Sequence, residues 1–146
     1  VHFDKRGGLI NVHGIVLDFR AWPIAQVTPP PYSVSDDALM EFMTVHKQVV
    51  RSMPSPHALI LDLRGLGHMS THQRKKLTSV LHGDEDEFAS LCAGTALVFS
   101  SPVVRGMLSA VFWFFKPPYP VKVVPDLVSA RAWVSTLLPT SLEKTA

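Results

Sequence analysis

Residues 57–81 read HALILDLRGLGHMSTHQRKKLTSVL, and the fold turns on this stretch. Ala58 to Leu63 is a short apolar run that takes in Asp62; Arg64, Gly65 and Gly67 break it at once. An apolar run of that length, cut off by glycines, predicts a buried strand and a tight loop. Ser70 and Thr71 then offer hydroxyls that can accept hydrogen bonds from the first N–H groups of a helix. Behind them Leu77, Val80 and Leu81 recur at helical spacing, beside a basic face of Arg74, Lys75 and Lys76. Strand, glycine loop and capped helix make one βα unit of an α/β domain. In open sheets of that class, ligands and modifications gather in the loops that follow the strands.

Toward the C-terminus, HGDEDEF supplies an acidic turn, and Phe88 to Cys92 extends or restarts the helix. Thr95 to Phe99 reads as the next buried strand, ended by Ser100. Ser101 caps and Pro102 starts a third helix, VVRGMLSAVFWFF, in which only Arg105 and Ser109 interrupt the apolar run. KPPYP stops it, Val121 to Val124 forms the last strand, and Asp126 caps a final helix with Leu127, Ala130, Trp133, Val134 and Leu137 inward.

Toward the N-terminus, Ser35, Asp36 and Asp37 open a helix whose inner face carries Leu39, Phe42, Met43, His46, Val49, Val50 and Met53. Pro54 and Pro56 end it. The preceding AWPIAQVTPPPYSVSDD is rich in proline and reads as an ordered, extended connection over the surface, pinned by Trp22 and Tyr32. Leu9–Val12 and Ile15–Phe19 suit an antiparallel hairpin, or one long strand kinked at Gly14. The order β-β-α-β-α-β-α-β-α predicts an α/β fold with a mostly parallel mixed sheet and an antiparallel N-terminal edge. Residues 1–33 then supply the edge strands and connection, 34–138 the core of the same domain, and 139–146 a frayed tail.

A chain of 146 residues fits one domain, and 47% hydrophobic with 18% charged residues describes a compact globular one. A formal charge of +2 is too small for the clustered basic footprint of a nucleic-acid binder. The single cysteine, Cys92, excludes an internal disulfide, suits a reducing cytoplasm and is expected to pack between helix and strand. VHFDKRGG is too polar for a secretory signal, and Gly106 to Phe115 is half of what a spanning helix needs. These features predict a cytoplasmic protein with no transmembrane segment.

Enzyme templates fail. GLGHMS lacks the repeat and lysine of a phosphate-binding loop, and no GxSxG elbow occurs. His68 and His72 are four apart, but Met69 stands where a metalloprotease helix would place a glutamate, and His82 lies ten residues on. Solvated or capping histidines account for them. Asp84 to Glu87 lacks the ligand spacing of a calcium loop and reads as a solvated helix start. His46 reads as a half-buried histidine with one hydrogen-bond partner. No catalytic residue, cofactor or metal site is assigned.

Two candidate surfaces remain. Adjacent parallel strands would bring Arg64, Ser70 and Thr71 beside Ser100, Ser101 and Arg105, where backbone N–H groups could hold an anion or a phosphorylated hydroxyl. Ordinary helix capping explains the same hydroxyls without any function. The apolar third helix must either be buried on every side or expose a patch for a partner or an apolar ligand. Met107, Val111, Phe112, Trp113, Phe114 and Phe115 would form that patch.

HALILDLRGLGHMSTHQRKKL resembles the strand, loop and helix of STAS domains, the anti-sigma-factor antagonist family. In that alignment Met69 matches the apolar residue before the motif, Ser70 falls on the family's acid, and Thr71 on its phosphorylatable serine. His72 and Gln73 replace the serine and glycine that follow. The second half is similar to a divergent bacterial group of STAS-like proteins related in fold to CRAL-TRIO lipid-transfer domains, with Ala130, Ala132 and Trp133 in the place of their closing Ala-x-x-Ala-Trp-like helix. The resemblance covers Val34 to Leu138. It implies a single STAS-like domain with four helices packed mainly on one side of the sheet. It also implies a non-catalytic regulatory or protein-interaction module, controlled at Ser70 or Thr71, whose protein partner would meet the loops around Ser70–Thr71 and Ser100–Pro102; separately, Val103 to Phe115 could form a homodimer face or a docking surface. The alternative it leaves open is a carrier or sensor of a lipid or other apolar small molecule, walled by the aromatic helix 103–115.

Overall fold

The computed structural model describes residues 7–53, 56–65, 91–114, 116 and 119–139. They form a six-stranded mixed sheet whose strands stand in sequence order. Strands β1 (Leu9–Val12) and β2 (Ile15–Asp18) pair as an antiparallel hairpin, which settles the choice at Gly14. His13 and Gly14 both carry positive φ, 52° and 89°, the backbone that a two-residue hairpin turn of this twist requires.

Next to β2 lies a strand that the sequence reading assigned to a connection. Strand β3 (Ile24–Thr28) pairs antiparallel with β2 and parallel with β4 (His57–Asp62), so it joins the two halves of the sheet. Pro23 and Pro29 frame it from outside and remove no ladder donor from its interior. Its signal was the alternation in IAQVT, with Ala25 and Val27 buried and Gln26 and Thr28 half-exposed. Strand β5 (Cys92–Val98) continues the parallel run from β4, and β6 (Val121–Val124) completes it. Cys92 is thus the first residue of a strand, not the end of a helix.

Three helices stand among the described residues, not four; the one expected from Ser70 to Leu81 lies outside them. Helix α1 (Asp36–Ser52) starts where Ser35 accepts the backbone N–H of Ala38, and Asp36 and Asp37 favour the positive end of its dipole. Its inward stripe centres on Phe42, Val45 and Val49, so Val45 joins the expected face. Helix α2 (Pro102–Phe114) follows β5, and α3 (Leu127–Leu137) follows β6.

The helices occupy both faces of the sheet, which corrects the one-sided expectation. Leu59, Leu61 and Leu97 meet α1 and Phe112 of α2 on one face. Ala58, Ile60, Ala96 and Val98 meet Ala130 and Val134 of α3 on the other. All six residues of β4 are buried. A strand buried at every position, instead of every second one, needs cover on both sides. The unbroken run ALIL already carried that signal.

Candidate functional site

Parallel pairing places the ends of β4, β5 and β6 side by side, so the loops after them form one edge. On that edge Arg64 makes a two-point pair with Asp62, Nε to Oδ1 at 2.9 Å and Nη2 to Oδ2 at 3.0 Å. Those bonds hold the Asp62 carboxyl below the usual carboxylate range. Arg105 turns back along α2 and donates Nη1 to the carbonyls of Phe99 at 2.9 Å and Ser100 at 2.7 Å. Ser101 caps α2 by accepting the Val104 N–H, and Asp126 caps α3 by accepting the Ser129 N–H at 2.7 Å. The cap bonds lower the Asp126 carboxyl first, and the charges of Arg64 and Arg105 add to the effect.

Arg64, Arg105, Ser100 and Ser101 therefore do gather at one edge, beside Asp62 and Asp126. Their groups are largely spent on the protein itself. Arg64 is held by a carboxylate, Arg105 by two carbonyls, and the Ser101 hydroxyl by its own helix. Two cations facing two carboxylates leave little net field for an anion. Ser70 and Thr71 lie outside the described residues.

Helix α2 rises from this edge and rests mainly on β6. Phe112 turns inward to the core, while Val103, Met107 and Trp113 stand 71%, 65% and 76% exposed. At 100° per residue, Pro102, Val103, Gly106, Met107, Ala110 and Trp113 fall within an arc of roughly 140°. Arg105 lies on the far side, which is why its guanidinium can reach the carbonyls beneath. The outward arc is uncharged from end to end. Met107, Phe112 and Trp113 were expected to act together; the structure separates Phe112 from the other two. The side chains of Val111 and Phe114 lie outside the description, as does Phe115 altogether.

The opposite end of the parallel strands holds a polar cluster; sequence reasoning noted His46 and Cys92 singly but did not bring them together with His57. His57, the first residue of β4, is fully buried, and its ring stacks on Trp22 with centroids 5.1 Å apart. Its Nδ1 lies 2.6 Å from the carbonyl of Leu91; a carbonyl can only accept, so Nδ1 carries the proton. Burial lowers the His57 pKa, and the bond to Leu91 opposes that shift. His46 faces the same seam from α1, stacked on Phe42 at 5.9 Å, with Nε2 shut off from solvent. Burial first, then the neighbouring His57 and Lys47, pushes its pKa down to about 4. Cys92 donates to the Gly94 carbonyl at 3.4 Å, and burial raises its pKa, so the thiol is structural. The Tyr119 hydroxyl is likewise raised by burial and pairs with Thr95. The signals were a histidine at the head of an apolar run and a tryptophan just before β3, both easily read as strand punctuation.

Among the described residues no three histidine, cysteine or acidic side chains are grouped to hold a metal, and no helix is long and apolar enough to cross a membrane. Fold and site together define an α/β protein with a mixed sheet, a braced loop edge and one bare apolar helix face. The chain matches no protein-family model, no curated protein and no solved structure.

Proposed function

We propose that the chain is a non-catalytic, STAS-like regulatory module that binds a partner protein through the outward face of α2. The observation that carries this reading is the exposure of Val103, Met107 and Trp113 on one uncharged arc. Burying such side chains against a partner contributes on the order of 2 kcal/mol each. A large uncharged centre with tryptophan and methionine, rimmed by polar groups, has the composition of a protein interface core. Ser100, Ser101 and the Arg64–Asp62 pair at the foot of the helix supply such a rim. The partner this surface fits is a protein presenting an apolar patch of its own.

The test compares Trp113→Asp with Val128→Asp, which alters an equally exposed apolar residue on α3. Proteins co-purifying with the tagged chain from its own cells are quantified for each variant. A partner lost with Trp113→Asp and retained with Val128→Asp is expected. Equal retention by both variants contradicts the reading. A concentration-dependent dimer in ultracentrifugation, abolished by Trp113→Asp, would make a second copy the occupant. A lipid-sized adduct in native mass spectrometry would favour a carrier instead.

A further inference from the structure

Helix α2 carries a glycine that its own fold does not explain. Gly106 lies inside Pro102–Phe114, has no positive φ, and a Cβ added there would meet nothing within 4 Å. A glycine inside a helix destabilises it relative to alanine, and here neither a turn nor a close contact among the described residues asks for one. The residue belongs to the uncharged outward arc. Along that arc the exposed Val103, Gly106, Ala110 and Trp113 run large, small, small, large, at steps of three, four and three. Sizes and steps read the same from either end.

Two crossed helices come closest at the centre and diverge toward their ends. Small residues at the centre let the backbones approach, and large ones at the ends fill the space that opens. A second α2 running antiparallel, related by a two-fold axis at the level of Leu108, sets Gly106 and Ala110 against the copy's Ala110 and Gly106. It also sets each Val103 against a Trp113. The positive end of each helix dipole then meets the negative end of the other, and no like charges oppose each other along the arc. We infer, on the footing that α2 is the contact face, that a second copy of this chain packs its own α2 antiparallel there, crossing at Gly106 and Ala110. A helix of 13 residues is about 20 Å long and covers less than the roughly 800 Å² per partner of a tight complex. The dimer is therefore weak, half-formed on the order of 10 μM, and the chain is a monomer well below that concentration.

Analytical ultracentrifugation of the full chain from about 1 to about 200 μM tests this, and the unaltered chain should pass from monomer to dimer across that range. Gly106→Gln enters open space within the chain and supplies a better helix former, so the variant should unfold at the same temperature or higher at about 1 μM. Its dimer Kd should nevertheless rise at least about tenfold, because the new side chain holds the crossing helices apart. Val128→Asp, on the exposed side of α3, should leave the Kd within about twofold. A monomer throughout overturns the second copy. If a photoreactive residue at Met107 then captures a different protein in the same cells, α2 remains the contact face; if it captures none, that reading falls as well. A dimer that Gly106→Gln leaves intact and Val128→Asp breaks also overturns the inference, and puts the contact on α3.

Discussion

Helices α2 and α3 share a layout and differ in surroundings. Each follows a parallel strand, each begins on a capping side chain, Ser101 or Asp126, and each is predominantly apolar. Helix α3 lies across β4, β5 and β6, and its Ala130 and Val134 are fully buried. Leu137 settles against Gly94, where any side chain would collide with it. Helix α2 sits over the edge strand β6 and keeps three large apolar residues in solvent. Apolar content does not decide which helix is buried. The strand beneath does: a central strand offers a floor wide enough for a helix, and an edge strand does not.

The largest test of that contrast is Gly94→Leu. It would press on the Leu137 side chain and on the Pro120 carbonyl and should cost about 3 kcal/mol in urea unfolding, since the leucine end can turn aside but the backbone oxygen, 3.1 Å from an added Cβ, cannot. A cost under about 1 kcal/mol would mean that α3 is not seated as described.

Acid should act on the face that α1 and α2 share. His46 has a folded pKa of about 4 against 6.5 in the unfolded chain, so the unfolded state binds the extra proton between those values. Stability is therefore unaffected by this group above pH 7 and falls as the pH drops toward 4. The loss should be on the order of 2 kcal/mol by pH 4.5, with His57 acting in the same direction. Urea midpoints at pH 7 and 4.5 measure it, and His46→Phe should remove most of the difference.

Removing the α3 cap with Asp126→Ala should lower the urea midpoint slightly, by less than Gly94→Leu does, because the Ser129 N–H then loses its acceptor. At the small end, Trp113→Ser should move stability by less than about 0.5 kcal/mol, since its ring touches mainly solvent. A loss above about 2 kcal/mol would show that Trp113 is part of the core, and α2 would no longer differ from α3.

Much of this architecture was legible in the residues. HALILD, VKVV and the Asp126 cap announced two parallel strands and the last helix, because a short, mostly apolar run or a helical apolar spacing stands beside clear punctuation in each. Strand β3 was not, because prolines on both sides disguised a five-residue alternation. The second covered face was written in ALIL and overlooked, since periodicity alone does not say how many layers lie above a strand. At the site, sequence could bring Arg64 and Arg105 to one edge through strand adjacency. It could not show that Asp62 and two carbonyls already occupy them, because those bonds depend on side-chain direction. The stack of Trp22 on His57 joins residues far apart in the chain, which only the fold brings together.

The most direct measurement places a photoreactive amino acid at Met107 on α2 or at Val128 on α3 and cross-links the chain inside its own cells. Both positions are exposed, at 65% and 80%. The account expects a discrete protein adduct from position 107, lost when Trp113→Asp is added, and none from 128. The same adducts from both positions, or none from 107 at full expression, would contradict it.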